Sequence, residues 1–261
     1  MRVQHVLKVA TLALGATLGP SLFAASYTWT FTGSGGDNCT GPGNSCLVSD
    51  AGNSIAFLSS PSGGPTVKAT AWYINDTGQF QKAVLGRYSS GLGVCYPGES
   101  CSNPNHQTDN VGAYDFVLFE FSSLVDPTIV RVQETTSGTG DTDASYWLGG
   151  NPGQNLDLTG TTVLGLAGLG FGSQVNDEVA GNQGDRNVSI TPSGSYVNKL
   201  LFGARYGSTS DRDDYFKIRS MQGDTPTTTT FNTAPEPSSV ILLGTVGLVA
   251  LHLVRKRARR A

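Results

Sequence analysis

The sequence predicts an all-β protein, an antiparallel β-sandwich of jelly-roll type, and three observations support this. Short segments alternate apolar and polar residues with the period of two that strands require. Glycine is abundant, with 34 residues among 261, and Ser, Thr and Asn are also common, so polar turns separate these segments. No stretch between the two ends of the chain keeps a long helical period. About ten short strands favour a sandwich or jelly roll.

Residues 1–26 are expected to be a secretory signal peptide. Arg2 and Lys8 precede an apolar stretch, a Gly-Pro pair interrupts it, and small residues follow. The small-x-small rule places cleavage after Ser26, with cleavage after Ala24 as the alternative. The leader implies passage through the Sec translocon.

The sandwich is expected over residues 27–222. YDFVLFEF is apolar on both faces and should be a central strand, and the Asp-Pro that precedes TIVRV predicts a turn between the two. Residues 91–112 read as one long loop because they are rich in turn residues. Residues 149–184 are ambiguous, since their glycines weaken both a helix and a strand. The expected strands are YTWTFT, SIAFL, VKATAWYI, FQKAVLGRY, YDFVLFEF, TIVRV, ASYWLGG, NVSI, YVNKLLFGA and DYFKIRSM.

Four cysteines fall in this region: Cys39, Cys46, Cys95 and Cys101. An even number in an exported chain predicts two disulfides, and four cysteines allow three pairings. The spacings favour Cys39–Cys46 and Cys95–Cys101, each closing a short Gly/Asn/Pro-rich loop. Zinc is not expected, because the sequence has no CxxC and no nearby pair of histidines.

The C-terminal segment follows a Thr/Pro-rich linker at 223–234. Its apolar span, 240–254, would reach roughly 22 Å as a helix, short of a hydrocarbon core of about 30 Å. A basic cluster after the span is expected to hold that end in the cytoplasm. The parts, in order, are Pro235, Glu236 and Pro237, then the apolar span, then the stop-transfer residues Arg255, Lys256, Arg257, Arg259 and Arg260.

This order of parts over 235–261 resembles the PEP-CTERM sorting signal of Gram-negative bacteria. The resemblance implies recognition by an exosortase, a membrane cysteine transpeptidase, after transient insertion in the inner membrane, and removal of the tail. An ordinary single-pass anchor is the alternative. More loosely, GLGV, NPNHQTDN, YDFVLFEF, SYW and DDYFKIRSM resemble a family of exosortase-dependent surface proteins. That likeness implies a location at the cell surface or in the extracellular matrix, and no established activity.

The charge of the exported part narrows the possible partners. Residues 27–234 hold ten Lys and Arg against nineteen Asp and Glu. Such an acidic surface argues against nucleic acid, whose phosphates require basic contacts. It is compatible with divalent cations.

Acidic and amide side chains gather in several loops, and calcium prefers such oxygen ligands. The spacing matches no EF-hand, so solvated turns are the alternative, and any calcium would be structural. The candidate calcium ligands are Asp109, Asn110, Asp141 and Asp143, with Asp211, Asp213 and Asp214 in a further acidic loop.

The sequence does not predict an enzyme. His106 is the one histidine of the exported region, and no G-x-S-x-G accompanies it, so it is expected to hydrogen-bond within its own loop. A glycosidase needs two facing carboxylates, and Glu120, in an apolar strand, is the one suggestive residue. It is expected at an exposed strand end. Trp29, Trp72 and Trp147 lie in strands and are expected in the core rather than on a sugar-binding platform.

These observations predict an exported, sorted surface protein. Its expected role is structural or adhesive, in the extracellular polysaccharide matrix or the cell envelope. A carbohydrate-binding module with a defined ligand is the alternative, and a glycoside hydrolase is a third hypothesis. An exposed aromatic platform would favour the carbohydrate-binding module, and two carboxylates across a cleft would favour the glycoside hydrolase.

Overall fold

The computed structural model describes residues 24–33, 53–99, 107–134, 141–179, 184–208 and 213–226. Over these residues the chain forms thirteen strands and one short 3-10 helix, and every pairing between strands is antiparallel. The prediction of an antiparallel all-β protein is confirmed. The strands are β1 Ser26–Thr30, β2 Ser54–Phe57, β3 Val67–Ile74, β4 Phe80–Lys82, β5 Val84–Tyr88, β6 Gly91–Cys95, β7 Thr108–Asp109, β8 Tyr114–Glu134, β9 Ala144–Gly149, β10 Val175–Asp177, β11 Arg186–Ser189, β12 Val197–Ala204 and β13 Tyr215–Asp224.

The long strand β8 organises the fold because its two halves pair with different strands. Its first half pairs with β3 and β12, β12 also pairs with β9, and β9 pairs with β10. Its second half pairs with β13 and β11, and β13 also pairs with β1, β6 and β7. The first set, with β2 and β4 beside β3, is called the first sheet, and the second set, with β5 beside β6, the second sheet.

The turn predicted at Asp126-Pro127 is wrong, because β8 runs through it without a break. Pro127 lies opposite Gly223, and the register with β13 shifts between Gln222 and Gly223. Proline lacks a backbone donor and is tolerated in a strand at an irregularity of this kind. The bulge therefore accommodates Pro127, which was expected to break the strand.

The main core contains apolar side chains from both sheets. The ring of Phe31, just after β1, stacks on Phe119 of the first sheet with centroids 5.2 Å apart. Trp29 lies 5.6 Å from Phe121, and its indole N–H donates to the carbonyl of Pro65 at 2.8 Å. Burial of such apolar surface is the main favourable term in folding.

A second apolar cluster covers the opposite face of the first sheet. It packs residues of β3, β8, β9 and β12 under the segment 150–172, whose 3-10 helix runs from Leu164 to Leu169. The first half of β8 is thus buried on both faces, which confirms the predicted central strand. The members of the second apolar cluster are Trp72, Ile74, Phe80, Phe116, Leu118, Trp147, Leu158, Leu166, Phe171 and Leu201.

The long loop predicted over 91–112 is partly wrong, because it contains β6 and β7. One of the glycines that suggested a loop, Gly91, is needed in β6 for close approach to β13. A Cβ on Gly91 would lie 2.5 Å from the carbonyl oxygen of Ile218. The short strand β10 in the ambiguous segment was also missed, and FQKAVLGRY divides into β4 and β5 at Ala83.

Both ends of the chain fall outside the described residues, so the leader up to residue 23 and the sorting segment 235–261 stay predictions. β13 ends at Asp224, two residues into the predicted linker, and the chain divides into two units after Thr227. Between residues 24 and 226, as far as they are described, no helix is long and apolar enough to cross a bilayer.

Candidate functional site

The acidic residues predicted from the loops meet around the start of β13. Asp109, in β7, pairs with Tyr215, and Asp141 forms a bridge with Asp214. Asp143 immediately precedes β9, and its backbone N–H donates to the Asp214 carboxylate at 3.0 Å. Asp211 lies outside the described residues.

These side chains are engaged in holding loop backbones. Asp143 accepts a hydrogen bond from the amide of Val179 at 2.7 Å, and Asp109 accepts one from Val111 at 2.9 Å. The Asn110 side-chain amide donates to Asp214. Within the described ranges, no three carboxylate, imidazole or thiol side chains form a group that could hold a metal ion. Calcium at these residues stays a prediction.

A cleft of about 330 Å³ opens beside this cluster and is called the acidic cleft. Glycines shape its floor, since a Cβ on Gly112 would lie 2.5 Å from the Tyr96 hydroxyl oxygen. The ring of Tyr96 also lies 5.3 Å from that of Tyr73 in β3, which fixes its position. The lining residues are Tyr96, Gly98, Glu99, Gln107, Asp109, Val111, Gly112 and Tyr215.

Asp115, the second residue of β8, is fully buried. Neither oxygen of its carboxyl group makes a hydrogen bond of good geometry, although the backbone amide of Asp109 is close enough to oppose the pKa shift. An unpaired buried carboxylate is costly, so burial raises the pKa of Asp115 well above its usual range, and the charges of Asp109 and Glu99 raise it further.

The two carboxyls that line the cleft are also harder to ionise than in water. Burial, with a smaller contribution from Asp109, raises the pKa of Glu99 to about 7. Burial raises the pKa of Asp109 to about 6, although the Val111 amide opposes the shift. The pKa of Tyr96 is raised by burial and then by the neighbouring carboxylates, Glu99 first. No described basic side chain is among the causes of these shifts.

Replacing Asp115 by asparagine should make the stability of the domain less dependent on pH. A carboxyl whose pKa is raised by folding binds more protons in the folded state, so its contribution is lost as pH rises from about 4 through the folded pKa. At pH 8 the melting temperature of Asp115→Asn should exceed that of the wild type by at least about 2–4 °C, the shift that about 1 kcal/mol gives in a domain of this size. The difference should shrink toward pH 4. Parallel melting curves over this range would contradict the assignment.

Glu120 is not at an exposed strand end, as the sequence suggested, but is fully buried on the outer face of the first sheet. Its carboxylate accepts hydrogen bonds from the backbone amides of Asn155 at 3.1 Å and Leu156 at 2.9 Å. Lys199 Nζ lies 3.9 Å from Glu120 and donates to the carbonyls of Asn151 and Gly153. The pair therefore holds the segment that covers the second apolar cluster, and its burial lowers the pKa of Lys199.

Lys217 is a second buried cation, on β13. Its Nζ has no hydrogen-bond partner in the described part of the chain and lies 3.7 Å from the centroid of the Tyr88 ring, a cation–π contact. Burial lowers the pKa of Lys217 to about 8 and raises that of Tyr88 to about 12.

The remaining residues that the sequence singled out lie either in the core or outside the described residues. Trp29, Trp72 and Trp147 are buried, which confirms their expected place in the core. Cys95 is buried in β6 and is not a free cysteine. Its predicted partner Cys101, like Cys39, Cys46 and His106, lies outside the described residues, so both disulfide pairings stay predictions.

Comparison with known proteins adds no relative. No protein-family model, no curated protein and no solved structure matches this chain.

Proposed function

We propose that this chain is an exported surface protein, sorted by an exosortase, whose domain has a structural or adhesive role in the extracellular polysaccharide matrix or cell envelope. We also propose that its two sheets form a jelly-roll sandwich. Contacts such as Phe202 against Phe216, with ring centroids 6.0 Å apart across the two sheets, support that arrangement. The acidic cleft is the surface that contacts the matrix.

The observation that carries this proposal is that the two ends of the domain lie side by side. Ser26 pairs with Asp224 in the ladder between β1 and β13, and its hydroxyl donates to the Asp224 carboxylate at 2.6 Å. The amide of Thr225 donates to the carbonyl of Ala25 at 3.0 Å. The predicted leader and the predicted sorting segment therefore depart from one edge of the domain, called the tether end.

The acidic cleft lies at the opposite end of β13 from the tether end. Tyr215 lines the cleft and begins the strand, whereas Asp224 ends it. Ten strand residues span roughly 30 Å at about 3.3 Å per residue. The cleft and the residues at which both predicted terminal segments join the domain therefore lie at opposite ends of β13.

The mature protein should begin at Ala25 and lack residues 240–261. Cleavage after Ala24 keeps the Ala25 carbonyl and the Ser26 hydroxyl, both of which bond the end of β13, whereas cleavage after Ser26 would remove both contacts. Intact mass and terminal peptides of protein isolated from the producing cells test this. A mature surface form that retains the RKRARR end would contradict sorting and favour a permanent anchor.

A glycoside hydrolase is the second candidate, because Glu99 and Asp109 line the same cleft. Two carboxyls with different pKa values in one site are what acid–base hydrolysis of a glycosidic bond requires. Our proposal predicts no turnover of polysaccharide by the mature protein. Sustained hydrolysis that Glu99→Gln abolishes would establish the enzyme instead.

A carbohydrate-binding module with a defined ligand is favoured by a different observation. The part-exposed rings of Tyr96 and Tyr215 line the cleft and offer surfaces on which a sugar could stack. This alternative keeps the adhesive role and adds a specific ligand.

A further inference from the structure

We propose that a pocket on the outer face of the first sheet binds a uronic acid unit of a matrix polysaccharide, with the sugar carboxylate on Lys68. The inference rests on the proposed matrix-binding function and names the chemistry of a second contact with the same matrix. This pocket is called the lysine pocket, and it shares no lining residue with the acidic cleft. Its lining includes Lys68, Thr70, Trp72, Lys82, Asn155 and Asp157.

The lysine pocket has the size that suits a single sugar unit. Its volume of about 250 Å³ lies just below the range of about 300–1,000 Å³ that holds drug-sized ligands. Lys82 lies opposite Trp72 in the register of β3 and β4, and Lys68 is four residues before Trp72, about 13 Å along β3. The two lysines are therefore attached at opposite ends of the pocket, and residues 155–157 of the covering segment form one wall.

Lysines are scarce in this acidic domain, and those that reach solvent meet at this pocket. Residues 27–234 contain four lysines, of which Lys199 and Lys217 are buried. The other two, Lys68 and Lys82, both line the lysine pocket. Acidic residues elsewhere on the surface repel an anion only weakly here, because exposed charges more than about 8 Å apart are largely screened at physiological ionic strength. The pocket therefore favours an anionic ligand although the domain as a whole is acidic.

The two lysines differ in whether their charge is already compensated. Lys82 Nζ lies 3.4 Å from the Asp157 carboxylate, so this pair is nearly neutral. Lys68 Nζ donates to the side-chain oxygen of Asn155 at 2.6 Å, which is a neutral acceptor. Within the described ranges Lys68 forms no ion pair. Its ammonium group has three donors, so two remain for a ligand carboxylate.

The rest of the pocket offers groups that bind the hydroxyls of a sugar ring. Thr70 is only 4% exposed, and its hydroxyl oxygen accepts a hydrogen bond from the Trp72 indole N–H at 2.9 Å. Among the described residues no acceptor takes the hydroxyl hydrogen of Thr70, which can therefore be donated to a ligand. The Asp157 carboxylate can accept from ligand hydroxyls. A uronic acid would use all of these groups together with Lys68, whereas an inorganic anion would use the cation alone.

Titration of the mature protein with three probes tests the inference. The probes are methyl glucuronoside, its methyl ester and sodium phosphate, each added at pH 7 while the amide resonances of Thr70, Asn155 and Leu156 are followed. The glucuronoside should bind at least about tenfold more tightly than the ester, because only the acid forms a charge-assisted hydrogen bond with the ammonium group. Equal affinity for acid and ester, no binding of the acid, or phosphate binding as tightly as the acid would overturn the inference.

A substitution at Lys68 locates the carboxylate. Lys68→Gln should bind the glucuronoside at least about tenfold more weakly and the ester with unchanged affinity, since glutamine removes the charge but can still donate to Asn155. Loss of the preference for the acid, rather than of binding in general, distinguishes recognition of the carboxylate from a structural change. The matched control is Arg131→Gln, which removes an exposed cation of β8 that pairs with Asp185 and should leave both affinities unchanged. A preference for the acid that persists in Lys68→Gln, or that is lost equally in Arg131→Gln, would overturn the inference.

Co-sedimentation with isolated native matrix separates this inference from the proposed function. If the wild type and Lys68→Gln co-sediment equally, the lysine pocket is not a matrix contact and the inference is wrong, whereas matrix adhesion stands. If the wild type does not co-sediment at all, the proposed function fails, whatever the sugar titrations give. Co-sedimentation that is weakened in Lys68→Gln and unchanged in Arg131→Gln supports both.

Discussion

Replacing Glu120 by alanine is expected to destabilise the domain by about 3–5 kcal/mol, the usual cost of removing one partner of a buried ion pair. The substitution leaves Lys199 buried without its counter-charge and leaves the amides of Asn155 and Leu156 without their acceptor. Urea unfolding, followed by tryptophan fluorescence, measures the change in the free energy of unfolding.

The control for this prediction is an exposed ion pair on the same sheet. Lys82 Nζ lies 3.4 Å from Asp157, with both side chains partly in solvent. Lys82→Gln should cost no more than about 1 kcal/mol, as exposed pairs do. Combining Glu120→Ala with Lys199→Met should cost less than the sum of the single effects, because the two groups interact. A loss below about 1 kcal/mol for Glu120→Ala would contradict its role as a structural clamp.

Trp147→Ala should also lower the free energy of unfolding by about 3–5 kcal/mol. The substitution removes the large side chain that β9 contributes to the second apolar cluster. The indole is almost completely buried, and its ring centroid lies 5.7 Å from that of Phe116 and 6.3 Å from that of Tyr206. Since the cluster attaches the segment 150–172, the variant should also be cut there faster in limited proteolysis.

Leu164→Ala provides the matched control for the tryptophan variant. Leu164 belongs to the same segment, but its side chain is 91% exposed. Its loss should change the free energy of unfolding by no more than about 0.5 kcal/mol. If both variants lose equal stability, the second apolar cluster does not attach the segment 150–172 to the first sheet.

The strand segments that the sequence predicted well include two that are buried along nearly their whole length. β3 and the first half of β8 were located because long apolar runs bounded by turn residues admit few other structures. β6 was missed because its glycines serve close packing against the backbone of Ile218, a tertiary requirement that a single sequence does not reveal. The Asp-Pro of β8 misled for a related reason, since its bulge depends on the register with β13.

The candidate site was predictable only in part. The sequence singled out acidic residues in several loops, and in the structure Asn110 and Asp143 both bond Asp214, while Asp109 pairs with Tyr215 beside it. Glu99 and Asp115 were missed, because one follows a turn and the other opens an apolar strand, and only their proximity in the fold couples their charges. Glu120 was found for its apolar context, but its partner Lys199 is distant in sequence, so the buried pair could not be inferred.

Cohesion of cell aggregates tests the central claim most directly, namely that the tethered domain presents a matrix-binding cleft. The measurement compares the shear needed to disperse aggregates of a deletion strain that carries the wild-type gene, the Glu99→Gln/Asp109→Asn gene or no gene. We expect weak aggregates without the gene, full restoration by the wild type and no restoration by the double variant at equal surface amounts. Aggregates of equal strength in the deletion strain and in the strain carrying the wild-type gene would contradict a structural or adhesive role.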